Sequence, residues 1–445
     1  MIRYHARWVV PITSPPVENG TVVVDGGRIT YVGSRSRAPH GQDRDLGDVA
    51  LLPGLVNTHT HLELTAMRGS LEDLDFHEWI ARLRASRNSV ISEEAALDSA
   101  RWGIIEALRC GTTTVADTCA GGTAALAMVE AGIRGVMYQE VFGPDPERCD
   151  AMMEELRDKV AGLRRHESSM LAIGVSPHAP YTVSDRLYLE AARFAGAGKM
   201  PLAVHVAESV SESQLVVDAC GPFADALRLR NIRVDARARS PVELLAREGV
   251  LGPRTLLIHC VHVDSADISV IAAAGCGVAH CPISNAKLGH GIAPLLEFLA
   301  AGIPVGVGSD SVASNNSMDL LEEVRTAVLL QRVRNGRPDA LGARAALRLA
   351  TLGGAQALGL AARVGSLEVG KEADLAAFSL ADTAPLGDPE SALVYSLYSR
   401  NAAFVVVAGR VLVEDSSVIH ETAGLRQRVV RAGDALAQWH LAAAE

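Results

Sequence analysis

In His59-Thr60-His61 two imidazoles stand two residues apart. Alternate residues of an extended segment share one side, so both rings face a single point if this segment is a strand. Two such rings suit a cation of the zinc or iron type. A bare His-x-His arises by chance in long chains, so its surroundings carry the weight. It follows the apolar run Pro53-Gly54-Leu55-Val56-Asn57, and later apolar runs end at His178, His205, His259 and His280. In Leu202-Ala203-Val204-His205-Val206-Ala207-Glu208 the imidazole reads as a third ligand and the carboxylate three residues on as a proton shuttle. A lone histidine there is also an ordinary way to complete a core. Val305-Gly306-Val307-Gly308-Ser309-Asp310 closes a glycine-rich apolar run on an aspartate. Burying that carboxylate alone is costly, and a divalent cation is a good partner. Its other use is as the N-cap of the next helix.

Bringing these residues together needs a frame that sends many strand ends to one face. Apolar runs at 54–62, 112–118, 135–141, 171–178, 202–207, 256–263, 277–281 and 305–310 alternate with helix-period stretches at 93–109, 124–131, 146–164, 185–195 and 318–332. Eight such units over roughly 300 residues predict an α/β fold, a (β/α)8 barrel of TIM type, whose strands deliver their C-terminal ends to one mouth. Before and after it the texture is that of hairpins. Thr21-Val22-Val23-Val24 and Arg28-Ile29-Thr30-Tyr31-Val32-Gly33 lie on one side, Val364-Gly365-Ser366-Leu367, 373–379 and 402–413 on the other. A small flanking β-sandwich built from both termini is expected. The division is 1–52 and 363–445 for that unit, the latter with a terminal helix, and 53–362 for the barrel.

Composition narrows the function classes. Hydrophobic residues make up 48% and charged residues 21% of the 445, a globular balance, and the net charge is -10. That opposes non-specific grip on nucleic acid or anionic membrane, and it leaves a small-molecule substrate. The seven cysteines form no CxxC pair, and their odd number within apolar runs fits free thiols in a reducing compartment. With no signal-peptide pattern and no apolar run of about 18 residues, a cytoplasmic protein is expected. A homodimer is the commonest assembly for such chains.

Taken in order, His59, His61, His205, His259 and Asp310, with Glu208 after the third histidine, resemble the amidohydrolase superfamily in its cytosine-deaminase-like and chlorohydrolase-like branch. The resemblance spans nearly the whole chain: 53–61, His61-Leu62-Glu63, Met67-Arg68-Gly69, 176–181, 285–294, 308–316 and 365–375. Two-metal members carry a bridging lysine at the fourth strand. None of Lys159, Lys199, Lys287 and Lys371 lies there, so the resemblance implies one divalent ion, Zn2+ first and Fe2+ second. His59, His61, His205 and Asp310 would hold it. It further implies that Asp310 takes the proton of the attacking water and His259 orients it. Glu208 protonates the ring nitrogen beside the attacked carbon and passes a proton to the departing amine.

A ring-nitrogen acid is what hydrolytic deamination of an amino-substituted heterocycle demands. Asp75-Phe76-His77-Glu78-Trp79 resembles the lid of methylthioadenosine/S-adenosylhomocysteine deaminases, where the tryptophan covers the purine; Trp79 reads equally as the core residue of an amphipathic helix. His178 contacts base or sugar by the same resemblance. Those deaminases tend to carry a glutamate where this chain has Asn88, and an arginine at the end of the third strand, where here stand Tyr138-Gln139-Glu140-Val141 with Gln139 the substrate-binding candidate. His61-Leu62-Glu63-Leu64 and Gln139-Glu140-Val141 look more like aminodeoxyfutalosine deaminases, so 6-amino-6-deoxyfutalosine, a menaquinone precursor, is the favoured substrate. Methylthioadenosine or S-adenosylhomocysteine comes next. Dechlorination or cyclic-amide hydrolysis is a further alternative. Arg68, Arg84 and Arg87 are either surface charge or partners for a substrate carboxylate.

Overall fold

The computed structural model describes residues 1–397, 401–419 and 422–442. The chain opens with β1 (Ile2–Val9), β2 (Val17–Asp25), β3 (Arg28–Ser34), β4 (Gln42–Asp45) and β5 (Val49–Pro53). Eight strands follow: β6 (Leu55–Thr60), β7 (Thr112–Cys119), β8 (Arg134–Val141), β9 (Leu171–Pro177), β10 (Leu202–Val206), β11 (Thr255–His259), β12 (Gly277–His280) and β13 (Val305–Val307). They are parallel and neighbour one another in chain order. All eight fall on the expected runs. Almost every residue in them is buried, as expected of strands covered on both faces.

The cylinder closes between its first and last strands. Thr60 and Asp310 form a parallel bridge, and the Asp310 amide donates to the His59 carbonyl at 2.9 Å. Below that seam Asn57 spans the same two strands: its amide donates to Ser309 Oγ (2.8 Å) and its oxygen accepts from the Ser309 amide (3.0 Å). The closing seam therefore carries two of the four residues expected to bind a metal.

The helix Glu93–Arg109 lies at the expected residues, its first turn capped by Ser92, whose side chain accepts from the Ala95 amide. The others differ by a few residues at their ends, as with Asp185–Ala197 and Leu320–Asn335. Phe76–Val90 follows the first strand and is the helix in which Trp79 could be read as a core residue. The short helices Val210–Asp218, Pro222–Leu229 and Pro241–Arg247, which fill the stretch after β10, have no counterpart in the sequence reading.

Past the barrel come β14 (Leu375–Ser379), β15 (Ala402–Val407), β16 (Arg410–Glu414) and β17 (Ser417–Val418). They join the first five strands in one sheet of order β17-β16-β15-β14-β5-β1-β2-β3, with β4 beside β1. Residues 364–367 form no strand. In a flat sheet the strands β1 and β15 would lie about 14 Å apart. The rings of Tyr4 and Phe404 are 5.5 Å apart, so the sheet curls over and its halves face each other across a small core of their own. Buried Arg134, at the start of β8, ties barrel to sheet. Its Nε donates to Asp374 Oδ2 (2.8 Å), and its Nη2 donates to Asp374 Oδ1 (3.0 Å) and Glu372 Oε2 (2.6 Å). The terminal helix Leu425–Ala442 packs on Phe76–Val90 and Glu93–Arg109, with Arg428 Nε donating to Asp98 Oδ2 at 2.6 Å. No described helix is long and apolar enough to cross a membrane.

Candidate active site

Four side chains from three strands meet at the barrel mouth. His205 Nε2 lies 3.2 Å from His59 Nε2 and 3.3 Å from His61 Nε2. Asp310 Oδ1 is 3.1 Å from the His59 nitrogen and 3.5 Å from that of His61. Zinc–nitrogen bonds of about 2.0–2.1 Å imply tetrahedral edges of about 3.3–3.4 Å, so these gaps suit one ion at the centre. Burial lowers all three imidazoles, His61 down to about 3, and keeps them neutral. Burial would raise the Asp310 carboxyl, but His59, His259 and His61 outweigh it and hold it well below the ordinary range. Three neutral imidazoles and a carboxylate, packed with lone pairs facing inward, are the protonation states a divalent ion requires.

Outer contacts aim these groups. Thr118 Oγ1 stands 3.3 Å from His61 Nδ1, and the His178 carbonyl 3.2 Å from His205 Nδ1. Ser284 and Ser314 both donate to Asp310 Oδ2, at 2.6 and 3.0 Å, which leaves Oδ1 for the cluster. Buried Asp117 accepts from the Leu62 amide (2.7 Å) and Thr60 Oγ1 (2.8 Å) and so fixes the turn that carries His61. The backbone is strained here. Ala207, His259, Cys260 and Asp310 all have φ between 49° and 73°, a left-handed conformation that persists only where surroundings enforce it.

Glu208 sits beside the cluster between two imidazoles. Its Oε1 lies 3.5 Å from His259 Nε2 and 3.4 Å from His290 Nε2. Burial alone would raise its carboxyl, yet those two histidines bring it below the usual value. His259 Nδ1 donates to Asn285 Oδ1 at 2.9 Å, which turns Nε2 toward Glu208. The backbone at Glu208 is clamped by Glu212, whose carboxyl accepts from the Ala207 amide (2.7 Å) and the Glu208 amide (3.1 Å). Sequence reasoning passed over Glu212, although Ser209-x-x-Glu212 has the form of a helix-starting capping box. His290 also went unread; its role appears only through the fold.

A cavity of about 400 Å³ runs from His61, Thr118 and His178 outward. Thr182 donates to the Ala179 carbonyl, so His178 Nδ1 donates to Thr182 Oγ1 (2.8 Å) and its Nε2 remains an acceptor. Leu64, Ile80, Leu83 and Phe142 supply apolar wall, while Arg84, Arg148 and Arg230 line the rim. None of these three forms an ion pair with a described residue. Arg87 also lines the cavity, but its Nη2 donates to Glu63 Oε2 at 3.0 Å; Arg68 turns away to Glu106, its Nη1 donating at 2.9 Å. Trp79 and Gln139 are not among the lining residues. Trp79 is buried against Phe76 at 6.3 Å in an aromatic cluster with Tyr181 and Phe223. The Gln139 amide donates to the Ala120 carbonyl at 3.0 Å, while its neighbour Glu140 faces the cavity.

Residues 50–412 match the model of the amidohydrolase family. The chain is 34% identical over 423 residues to a 5-methylthioadenosine/S-adenosylhomocysteine deaminase of Moorella thermoacetica, covering 92% of this chain and 93% of that protein. A 5'-deoxyadenosine deaminase of Methanothermobacter thermautotrophicus is 33% identical, with 90% and 91% covered. Among solved structures, a zinc-bound adenosine deaminase from Xanthomonas campestris superposes with a TM-score of 0.87 at 30% identity, covering 98% of each chain. An aminofutalosine deaminase from Helicobacter pylori in complex with methylthio-coformycin shares the fold, with a TM-score of 0.81 at 23% identity, covering 93% of this chain and all of that one.

Proposed function

The chain belongs to the amidohydrolase family and is a hydrolase of C–N bonds; on that footing we propose that it deaminates an adenine nucleoside whose 5′ substituent carries a carboxylate. One observation carries the reading. A single cavity runs from His61 of the imidazole–carboxylate cluster out to three arginines that have no ion-pair partner among the described residues. Methylthioadenosine, 5'-deoxyadenosine and adenosine offer nothing to those arginines. S-adenosylhomocysteine offers an amino-acid carboxylate, and the full-length relatives favour it. The apolar wall of Ile80, Leu83 and Phe142 suits the benzoate of 6-amino-6-deoxyfutalosine and favours that precursor of menaquinone as the second reading.

His59, His61, His205 and Asp310 would hold one divalent ion, zinc by the example of the solved adenosine deaminase, and it would supply a water made acidic enough to attack near neutral pH. Because His259 and His290 keep Glu208 ionised in the free protein, Glu208 collects its proton from the attacking water and gives it to the ring nitrogen beside the attacked carbon. Asp310 takes the second proton of the water, which Glu208 relays to the amine, so that ammonia departs and a carbonyl is left on the ring. His259 orients the water. Each transfer contributes about 10²–10⁴-fold.

The test follows ammonia release and the adenine absorbance change with S-adenosylhomocysteine, 6-amino-6-deoxyfutalosine, methylthioadenosine, 5'-deoxyadenosine and adenosine in parallel. Ammonia should appear with the lowest KM for the two carboxylate-bearing substrates. In Arg148→Ala that advantage should shrink while methylthioadenosine kinetics hold. Chloride release from a chlorotriazine, or ring opening, without ammonia release from any nucleoside would overturn the assignment.

A further inference from the structure

Glu140 is used by neither the imidazole–carboxylate cluster nor the proton shuttle. It stands near the end of β8 and lines the cavity, only 6% exposed, and its Oε1 has no hydrogen-bond partner. A buried carboxylate oxygen left without a donor is a standing cost, and it calls for a ligand. Arg87 is the nearby cation, but Glu63 engages it. Burial, chiefly, pushes the Glu140 carboxyl up to about 8. Its depth is informative. A carboxyl oxygen lies within 4.8 Å of ring nitrogens on His178 and His205, whereas Arg84, Arg148 and Arg230 are exposed at the rim. Glu140 therefore stands in the inner part of the cavity, beside His178 and His205 and inward of the three exposed arginines.

We propose that Glu140 is a specificity residue that accepts a hydrogen bond from a hydroxyl of the substrate's sugar. The inference rests on the deaminase reading: with the base at the floor and the anionic tail at the rim, the sugar spans the stretch that Glu140 lines. A hydroxyl fits either charge state of the carboxyl, since Oε1 can accept in both. His178 Nε2, the acceptor beside it, leaves room for a second hydroxyl on the same sugar face.

The experiment measures kcat and KM by ammonia release for wild type, Glu140→Gln and Glu140→Ala. Substrates are the preferred ribonucleoside and its 2′-deoxy and 3′-deoxy counterparts, with metal content and Tm measured on each protein. Wild type should discriminate against at least one deoxy form by about tenfold or more in kcat/KM, the scale of one unmade hydrogen bond. Glu140→Ala should lose that factor on the ribonucleoside and lose little on the deoxy form, and Glu140→Gln, which keeps an acceptor, should retain most of it. Equal losses on ribo and deoxy substrates overturn the inference and leave the deaminase reading standing. A second metal equivalent in wild type that Glu140→Ala lacks also overturns it, since Glu140 would then be a ligand with His178 and His205. No ammonia from any adenine nucleoside overturns both.

Discussion

Between His259 and His290 the Glu208 carboxyl is kept ionised against the pull of its own burial, with Asp310 as the opposing charge nearby. Deleting one imidazole must therefore move its titration upward. In His290→Ala the acid limb of the kcat/KM profile should shift to higher pH, because burial and Asp310 raise the carboxyl and only His259 remains to lower it. The measurement is a pH–rate profile across the acid range. An unshifted limb would detach His290 from the shuttle. At this scale the cluster was legible and its support was not. His59, His61, His205 and Asp310 each end an apolar strand, and a strand end in such a barrel has one destination. His290 lies in the loop after β12, and nothing in its own neighbours signals that the chain will fold it over Glu208.

Strands deliver the ligands, but the short elements after them set the angles. The first turn of the helix Val210–Asp218 carries Glu212 back onto the Ala207 and Glu208 amides, where it supports the left-handed turn at Ala207. Glu212→Ala would leave two buried N–H groups unmet, at about 1–3 kcal/mol each. Tm should fall, and kcat should fall much more than KM rises, because Glu208 is mis-set while the binding wall stays. A stability loss with unchanged kcat would reduce Glu212 to a structural clamp. Gly308 shows the same tightness from β13: a Cβ there would come within 2.8 Å of the His59 Cβ. Eight strands could be read because burial on both faces favours apolar or small residues along most of each, even where β7 is largely threonine. The helices between 210 and 247 could not, since each is under ten residues and half exposed, too short for a 3.6-residue period to declare itself. Trp79 shows the limit on side-chain direction. Its helix exists, and the ring packs with Phe76 instead of lining the cavity.

Across the molecule, one buried arginine binds the two sheets together. Arg134 is buried against Asp374 and Glu372, so Arg134→Ala leaves the buried Asp374 carboxylate without its cation, while Glu372 keeps Arg363. Such a loss typically costs about 3–5 kcal/mol. Denaturant titration should show it as a lower midpoint, and a shift below about 1 kcal/mol would mean the curled sheet stands without the clamp. That the two chain ends share a unit was visible in their matching hairpin texture. That they form one continuous sheet was not, because pairing of β5 with β14 joins residues 49–53 to 375–379 with no local signal at either end.

That pairing has a consequence for synthesis. Until Leu375–Ser379 leaves the ribosome, β5 lacks its antiparallel neighbour, and at roughly 5–20 residues per second the wait is on the order of tens of seconds. A nascent chain in that interval carries an open, apolar strand edge, the kind of surface that recruits chaperones or sticks to its siblings. Yield in the cell should then depend on how quickly translation reaches Leu375–Ser379 as well as on how firmly the finished enzyme holds together.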